Sequence, residues 1–172
     1  CGYNHSISPS FKYFENNILK RIKFINKIEV KWCEAWDGIL KAHFWLKDES
    51  KSYLGNYKHG GGALQEHSHG LHLLFLVLKK NKINLSNIKL RKNIFFNKNK
   101  KYDLISSISG YDKKKYFSYK TDLITFPAEK KITIYGKNSK IIWVCNYKQN
   151  VDLVRIYKNN IINYEKFFKK TR

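Results

Sequence analysis

The sequence lacks the long apolar run that a membrane-spanning helix requires. Its longest apolar run, Leu71 to Leu78, has the length of a strand, whereas a spanning helix needs roughly 18 to 20 apolar residues. Methionine is absent, proline occurs 2 times and cysteine 3 times in 172 residues. The 42% apolar and 16% aromatic content is enough for one self-sufficient core, which excludes a disordered chain. Contact with a membrane is therefore expected only through lipid or surface charge.

Several motifs with a defined chemistry are also absent. The sequence has no Gly-x-Ser-x-Gly nucleophile elbow, no His-Glu-x-x-His zinc motif and no Cys-x-x-Cys pair. The triple glycine Gly60 to Gly62 has neither the Lys-Ser/Thr ending of a Walker loop nor the glycine offsets of a dinucleotide loop, so it predicts a flexible connector. The few carboxylates single out no catalytic pair. These absences favour a non-enzymatic protein with no cofactor.

Acidic residues are scarce, since 13 Asp and Glu oppose 34 Lys and Arg and leave a net charge of +21. Such a charge points to nucleic acid or anionic lipid. The only arginines are Arg21, Arg91, Arg155 and Arg172, although arginine is the side chain that forks onto phosphates and guanine edges. Lys, Asn, Ile, Tyr and Phe share A/T-rich codons, so a biased genome accounts for the charge without a partner. Nucleic acid is therefore not the expected partner.

The chain begins with Cys1, which is followed by Gly2 and the polar run Asn4 to Ser10. This beginning resembles a processed bacterial lipoprotein, in which the signal peptide is cut before a cysteine that then carries lipid. The resemblance implies lipid attachment at Cys1, a membrane anchor, and localisation in the bacterial cell envelope, at the periplasm or cell surface. Residues 1–10 are then a tether and residues 11–172 a single β-rich domain. A domain trimmed at this cysteine is the alternative.

Hydrophobic periodicity divides the chain into one helix followed by many strands. Apolar residues recur at spacings of three and four at Phe11, Phe14, Ile18, Ile22 and Ile25, which predicts an amphipathic helix. Short alternating or apolar runs between turn signals predict strands, among them Ile28–Trp32, Leu40–Leu46 and Leu71–Leu78. The tail from Ile161 to Lys170 predicts a short C-terminal helix. The pattern favours a mainly β fold, a single antiparallel β-sandwich or barrel-like domain.

Two cysteines besides Cys1 lie in segments that predict strands. If Cys1 carries lipid, Cys33 and Cys145 remain as a pair in a compartment that permits disulfides. We therefore expect a disulfide between them. Two buried free thiols are the alternative, which a cytosolic protein would favour.

Four of the six histidines fall between His59 and His72, beside a carboxylate and the glycine-rich run. On a strand, His67 and His69 would project to the same side, a spacing that suits two ligands of one metal. Glu66, His59 and His72 could complete the set, and neutral imidazoles bind Zn, Cu or Ni. A divalent metal site is therefore one alternative, and a solvated loop is the other.

Two further groups of residues are candidates for contacts with partners. Trp36 and Trp45 fall outside the alternating apolar positions of their segments, so they could bind another protein. Basic residues in and after the amphipathic segment are candidates for contact with an anionic membrane surface: Lys12, Lys20, Arg21, Lys23 and Lys27.

These patterns together predict a non-enzymatic cell-envelope lipoprotein that acts as a binding, assembly or immunity-type protein. Its expected partner is another envelope or secreted protein, and its expected link to the membrane is the N-terminal lipid. Two alternatives remain open. One is a basic nucleic-acid-binding domain, and the other is a metal-binding protein or metal-dependent enzyme that uses the region from His59 to His72.

Overall fold

The structure is a computed structural model that describes residues 3–22, 24–43, 45–46, 48, 53–97 and 100–170. Its helices are α1 (Pro9–Tyr13), α2 (Trp36–Ala42), α3 (Ala63–Glu66) and α4 (Ser68–Lys80). Its strands are β1 (Lys27–Cys33), β2 (Lys89–Asn97), β3 (Lys100–Asp112), β4 (Lys115–Asp122), β5 (Glu129–Tyr135), β6 (Ser139–Lys148), β7 (Val151–Lys158) and β8 (Ile161–Lys169). The eight strands form one sheet in the order β2-β3-β4-β1-β5-β6-β7-β8.

The sheet is mixed, which contradicts the predicted antiparallel sandwich or barrel. β1 and β4 run parallel, with Lys27 opposite Tyr116, and every other neighbouring pair is antiparallel. A parallel pair needs a long crossover, which residues 34–114 provide with helices α2, α3 and α4 on the way. The described residues contain no second sheet that would close a sandwich. The prediction of the fold class is therefore wrong.

Two segments predicted as strands are helical. The run Leu71–Leu78 lies in α4, and Leu40 lies in α2. Leucine is a strong helix former, and a uniformly apolar run carries no period that separates a buried helix from a buried strand. α4 packs over β1 and β4 and buries Leu73, Leu74 and other apolar side chains, so the helix covers the centre of the sheet.

The N-terminal segment is folded from Tyr3 onward. Asn4–Ile7 form a 3₁₀ turn, and Ser8 caps α1, where Pro9 occupies the first turn. The helix continues as a π-helix over Phe14–Ile18 and a 3₁₀ turn over Leu19–Arg21. Its predicted apolar stripe is buried at Phe11, Phe14 and Ile18, and Ser10 is buried as well. Residues 3–10 are therefore part of the packed structure rather than a tether.

The tail predicted as a short helix is the edge strand β8. It pairs with β7 through a two-residue turn in which Asn159 and Asn160 have φ angles of 50° and 63°. Asparagine tolerates this left-handed conformation, which suits a tight hairpin. β-branched and aromatic residues, such as Ile161 and Phe167, then favour the strand.

The two faces of the sheet differ in chemistry. On β1, Ile28, Val30 and Trp32 point toward the helices and are buried, whereas Lys27 and Lys31 point to the other face. That second face, here called the open face, carries ion pairs from Lys27 to Glu29 and from Lys31 to Glu129. No helix of the described residues is long and apolar enough to cross a membrane.

Candidate functional site

A cavity of about 570 Å³ lies where β1 ends, β5 begins and α4 starts. The side chains around it are mostly polar or aromatic: Tyr3, His5, Trp32, Glu34, His43, Tyr53, Gln65, Glu66, His67, Ser68, His69 and Lys130. We call this the histidine cavity. It draws on the N-terminal segment, the central strands and the α3–α4 corner, so it is assembled by tertiary structure.

Close backbone approaches hold the α3–α4 corner against the sheet. A Cβ atom at Gly70 would lie 2.6 Å from Trp32 Cβ and 2.8 Å from Tyr119 Cε2, so only glycine lets α4 come this near. The Tyr119 hydroxyl donates a 2.6 Å hydrogen bond to the His67 carbonyl. These contacts fix the turn of chain that carries His67 and His69 into the cavity.

Aromatic rings and imidazoles form one wall of the histidine cavity. Tyr3 stacks on His72 with 4.2 Å between ring centroids and lies edge-on to His69 at 5.5 Å. His5 lies edge-on to His69 at 5.2 Å and to Trp32 at 4.9 Å. The wall is therefore packed tightly enough to orient the imidazole of His69.

Two buried imidazole nitrogens in this region have no hydrogen-bond partner among the described residues, His67 Nε2 and His69 Nδ1. A buried polar atom without a partner is costly and usually marks a place where a ligand or water completes the bonding. His67 is almost fully buried, whereas His69 lies beside the cavity space. Both histidines line the cavity, and His69 is the less buried residue of the two.

Lys130 brings a positive charge to the same face of the sheet as the cavity. Its Nζ lies 2.5 Å from Glu34 Oε2, and both side chains are largely buried. Lys130 is the register partner of Trp32 across β1 and β5, so both side chains point to the helix-covered face. A buried ion pair of this kind keeps both charges in the site.

Three histidines of the cavity, His5, His67 and His69, have pKa values below the ordinary value for histidine, so they are neutral at physiological pH. Burial lowers the pKa of His67 to about 4, and the Lys130 charge adds to the effect. Burial also lowers the pKa of His5 to about 4, with His69 and Lys170 adding to it. For His69 the pKa is lowered by burial and then by Lys130 and His72. Neutral imidazoles can accept protons or hydrogen bonds.

Glu66 behaves differently from the other carboxylate at the cavity. Burial raises its pKa, the Glu34 carboxylate adds to this rise, and His43 and Lys130 oppose it. Burial together with Glu66 also raises the pKa of Tyr53. Burial therefore shifts both groups toward their protonated forms.

The residues predicted as metal ligands do not form a metal site. Across the described ranges, no three His, Cys, Asp or Glu side chains come together as a ligand set. The prediction placed His67 and His69 on a strand, but His67 is the C-cap of α3 and His69 lies in α4, so the same-side projection expected on a strand does not apply. His72 stacks on Tyr3, and His59 is exposed on the 3₁₀ turn Tyr57–His59. Glu66 and His69 instead line the histidine cavity.

The predicted disulfide between Cys33 and Cys145 is also absent, because both are buried free thiols. Strand β5 separates their strands, β1 and β6, so the backbones are about two strand spacings, roughly 9 to 10 Å, apart. Cys33 follows the parity of the open face, whereas Cys145 lies in the core under the helices and contacts His5 Nδ1 at 3.6 Å. The two side chains therefore point to opposite faces of the sheet.

The tryptophans predicted to bind a partner occupy different surroundings. Trp36 is partly buried in a small second cluster, where its Nε1 donates a 3.1 Å hydrogen bond to the Tyr102 hydroxyl. Trp45 is exposed, and its ring lies edge-on to His43 with 5.3 Å between centroids. Trp36 is therefore a packing residue, and contact with a partner stays a prediction for Trp45 alone.

The basic residues predicted to meet a membrane do not share one helix face. Lys12 pairs with Glu15, Lys27 pairs with Glu29 on the open face, and Lys20 is exposed. Lys23 and the lipid-attachment residue Cys1 lie outside the described residues. Lipid at Cys1, an envelope partner and localisation in the cell envelope therefore stay predictions.

No local sequence pattern predicts several of the residues that line the cavity. Glu34 and Lys130 are 96 residues apart and meet only through the pairing of β1 with β5. Tyr3 and His5 were assigned to a tether, although an aromatic residue and a histidine within a polar run are a weak sign of packing. Trp32 was predicted as core, which it is, but its edge also faces the cavity.

Comparison with known proteins finds similarity in structure and none in sequence. No protein-family model matches the chain, and no curated protein matches it in a sequence search. Solved structures of dehydrogenases share the fold of this chain. The likeness therefore concerns the fold of the chain.

Three solved structures illustrate this likeness. Levoglucosan dehydrogenase in complex with NADH and levoglucosan has a TM-score of 0.69 at 10% identity, and the match covers 98% of this chain and 46% of that one. An inositol dehydrogenase homolog with NAD+ from Azotobacter vinelandii has a TM-score of 0.65 at 9% identity and coverage of 91% and 42%. UDP-N-acetylglucosamine 3-dehydrogenase from Acidithiobacillus ferrooxidans has a TM-score of 0.59 at 8% identity and coverage of 99% and 46%.

These neighbours overturn the prediction of a non-enzymatic envelope protein without a cofactor. Their names are those of dehydrogenases, and two of them are complexes with NAD+ or NADH. The chain spans less than half the length of each of the three. At identities of 8 to 10% the likeness shows the fold, and an activity for this chain has to be argued from its own cavity.

Proposed function

We propose that this chain is the substrate-binding part of a nicotinamide-dependent dehydrogenase that oxidises a hydroxyl group of a sugar or polyol. The observation that carries the proposal is the unpartnered Nδ1 of His69 beside the histidine cavity. The structural neighbours named for inositol, levoglucosan and UDP-N-acetylglucosamine support the choice of a hydroxyl-rich substrate. The cavity has the size range of small-molecule sites and offers many hydrogen-bonding groups.

His69 is the group that takes the hydroxyl proton. Oxidation of a carbinol removes a proton from oxygen, which must go to a base, and a hydride from carbon, which a nicotinamide accepts when bound. The lowered pKa of His69 keeps its imidazole neutral and ready to accept a proton at physiological pH. His67 is a poorer base, because burial has lowered its pKa to about 4 and its side chain is almost fully buried. His69 therefore combines access with a suitable protonation state.

Lys130 and Glu34 position the substrate hydroxyls. An ammonium group donates hydrogen bonds and stabilises negative charge on a hydroxyl oxygen that is losing its proton. Glu34 holds Lys130 at 2.5 Å and leaves a second carboxylate oxygen as an acceptor for another hydroxyl. The ring of Tyr3, which lines the cavity and stacks on His72, gives it a flat surface that suits the C–H face of a sugar ring.

The described residues do not fit the phosphates of a dinucleotide. A pyrophosphate site needs free backbone N–H groups at a glycine-rich turn before a helix. In this chain the Asp103 carboxylate accepts the Leu64 N–H at 2.9 Å, and a Cβ at Gly62 would lie 2.1 Å from Asp103 Oδ1. An internal carboxylate therefore occupies the place where an anion would bind. The proposal gives this chain the substrate side of the reaction only.

A binding experiment tests the substrate side directly. Histidine Cε1–H resonances of the chain are followed by NMR during titration with myo-inositol, levoglucosan and UDP-N-acetylglucosamine. We expect saturable shifts of the His69 resonance with at least one of them, at a dissociation constant below about 1 mM. Glu34→Gln should weaken binding about tenfold. The substitution removes the negative charge that holds Lys130, and it replaces one of the two acceptor oxygens of Glu34 with a donor.

Two results decide the outcome of this titration. His59→Asn is the matched control, since His59 is exposed and does not line the cavity, and it should leave binding unchanged. If none of the three compounds binds, or if the only resonance that shifts is that of His59, the histidine cavity is not a sugar site and the proposal fails.

A further inference from the structure

The end of the sheet opposite the histidine cavity is strongly basic. The turns that join β3 to β4, β5 to β6 and β7 to β8 meet there with Ile22 and residues 24–26, which precede β1. Three adjoining hollows at this end are lined by seven basic side chains and by no Asp or Glu: Arg21, Lys113, Lys114, Lys115, Lys137, Lys140 and Lys158. We call this surface the basic end.

The lysines of the basic end differ from those of the open face. Lys27, Lys31 and Lys131 on the open face each pair with a glutamate, Glu29 or Glu129. Within the part of the chain that the structure describes, none of the seven basic residues forms an ion pair. Unpaired lysines such as Lys58 and Lys169 also lie elsewhere on the surface, but the basic end brings seven basic residues together in three adjoining hollows that no Asp or Glu lines. A local cluster of positive charge of this kind points to an anionic partner.

Aromatic side chains accompany these charges. Phe24 is 70% exposed and lines two of the three hollows. Lys27 lies 5.7 Å from the ring centroid of Tyr116 and 5.5 Å from that of Tyr135, and all three are register partners at the start of β1. Surfaces that lie in a lipid headgroup layer typically combine an exposed phenylalanine with surrounding lysines and with tyrosines, whose hydroxyl groups are polar.

We propose that the basic end docks on an anionic lipid bilayer, with Phe24 inserted among the headgroups. Lysine acts as a point charge, which suits a diffuse anionic surface, whereas nucleic-acid sites favour the forked guanidinium of arginine. Arg21 is the single arginine of the seven, and its guanidinium lies 5.5 Å from the centroid of the Tyr164 ring. Docking through this end leaves the histidine cavity, at the other end of the sheet, facing the aqueous phase.

Flotation with vesicles tests the proposal. The chain is mixed with vesicles of phosphatidylcholine alone or with about one third phosphatidylglycerol. We expect binding to the anionic vesicles at low salt, loss of binding near 0.5 M salt, and none to neutral vesicles. Lys114→Gln, Lys137→Gln and Lys158→Gln combined should weaken binding about 100-fold, at about fivefold for each charge. Phe24→Ala should weaken it about tenfold through the lost apolar contact.

A charge-matched control separates this surface from the overall charge. Lys58→Gln, Lys148→Gln and Lys169→Gln remove three exposed lysines outside the basic end and should leave binding within about twofold of the wild type. All seven substituted positions, Phe24 and the six lysines, are exposed, so the circular dichroism of every variant should be unchanged. Equal loss in the two triple variants, binding to neutral vesicles, or tighter binding to polyuridylic acid than to the anionic vesicles at the same salt overturns the proposal.

Discussion

Trp32 and Lys130 face each other as register partners across β1 and β5, and the Lys130 ammonium lies 6.0 Å from the centroid of the Trp32 ring. Because register partners point to the same face, this pairing places the Lys130 charge under the helices, beside the imidazoles of the histidine cavity. The neighbours of Lys130 on β5, Glu129 and Lys131, point to the open face and pair there with each other. The pairing of Lys130 with Trp32 in the sheet therefore places the positive charge of Lys130 at the cavity.

Removing the Lys130 charge should raise the pKa of one histidine and leave the pKa of another unchanged. In Lys130→Met the pKa of His69 should rise, because the Lys130 charge lowers it in the wild type. The pKa of His72 is lowered by burial alone, so it should stay unchanged and serve as an internal control. NMR titration of the histidine Cε1–H resonances measures both. A His69 pKa that stays unchanged would show that Lys130 does not act on the cavity.

The buried histidines should make the fold sensitive to mild acid. The pKa of His67 is about 4 in the folded chain against 6.5 when exposed, so below pH 6.5 the unfolded state binds more protons. The contribution of His67 to the free energy of unfolding should therefore be nearly constant above pH 6.5 and fall by roughly 3 kcal/mol as the pH drops to about 4, and His5, whose pKa is also lowered to about 4, should add to the decline. Urea unfolding at several pH values measures this.

Two substitutions test the origin of this acid sensitivity. His67→Gln should remove much of the decline between pH 6.5 and about 4, whereas His59→Gln should keep it, since His59 is exposed. The prediction fails if the two variants lose stability with falling pH to the same extent.

Gly70 should be essential for the position of α4. Gly70→Ala places a methyl group 2.6 Å from Trp32 Cβ and should lower the free energy of unfolding by about 1 to 3 kcal/mol, because the helix must move away from β1. Gly60→Asn is the control, since nothing lies within 4 Å of a Cβ there and asparagine tolerates its φ of 86°. Denaturant unfolding compares them, and equal stability of the two variants would refute this packing.

Cys33 and Cys145 should both be reduced and slow to react. Burial raises the pKa of Cys33 to about 12 and also raises that of Cys145, so little thiolate is present at pH 8. Alkylation in the absence of reductant, followed by peptide mapping, should label both residues after unfolding and neither in the folded chain. A peptide pair joined through these two cysteines would contradict the sheet order.

Strongly periodic segments were the most readable part of the sequence. The spacing of Phe11, Phe14 and Ile18 predicted an apolar helix face, and all three side chains are fully buried. The run Leu71–Leu78 was misread as a strand, because a helix buried along most of its surface shows no polar stripe. The tail Ile161–Lys170 was predicted as a helix but forms the strand β8. An edge strand that is exposed on both faces does not alternate between apolar and polar residues, so its sequence shows no strand pattern.

The sheet topology and the site lay beyond local patterns. The parallel pairing of β1 with β4 and the contact of Glu34 with Lys130 join residues far apart in sequence, and nothing near either residue specifies its partner. The cluster from Glu66 to His72 was recognised as unusual, but its chemistry was assigned to metal because the segment was placed on a strand. With His67 at the end of α3 and His69 in α4, both line the histidine cavity instead.

The central claim is that His69 takes a proton from a hydroxyl substrate during oxidation by a nicotinamide. The most direct measurement is NADH formation at 340 nm by the full-length gene product with NAD+ and each of the three hydroxyl compounds. We expect turnover with at least one compound and a decrease in kcat of about 100-fold or more in His69→Asn, with His59→Asn unchanged. No turnover with any of the three, or a His69→Asn variant as active as the wild type, would contradict the account.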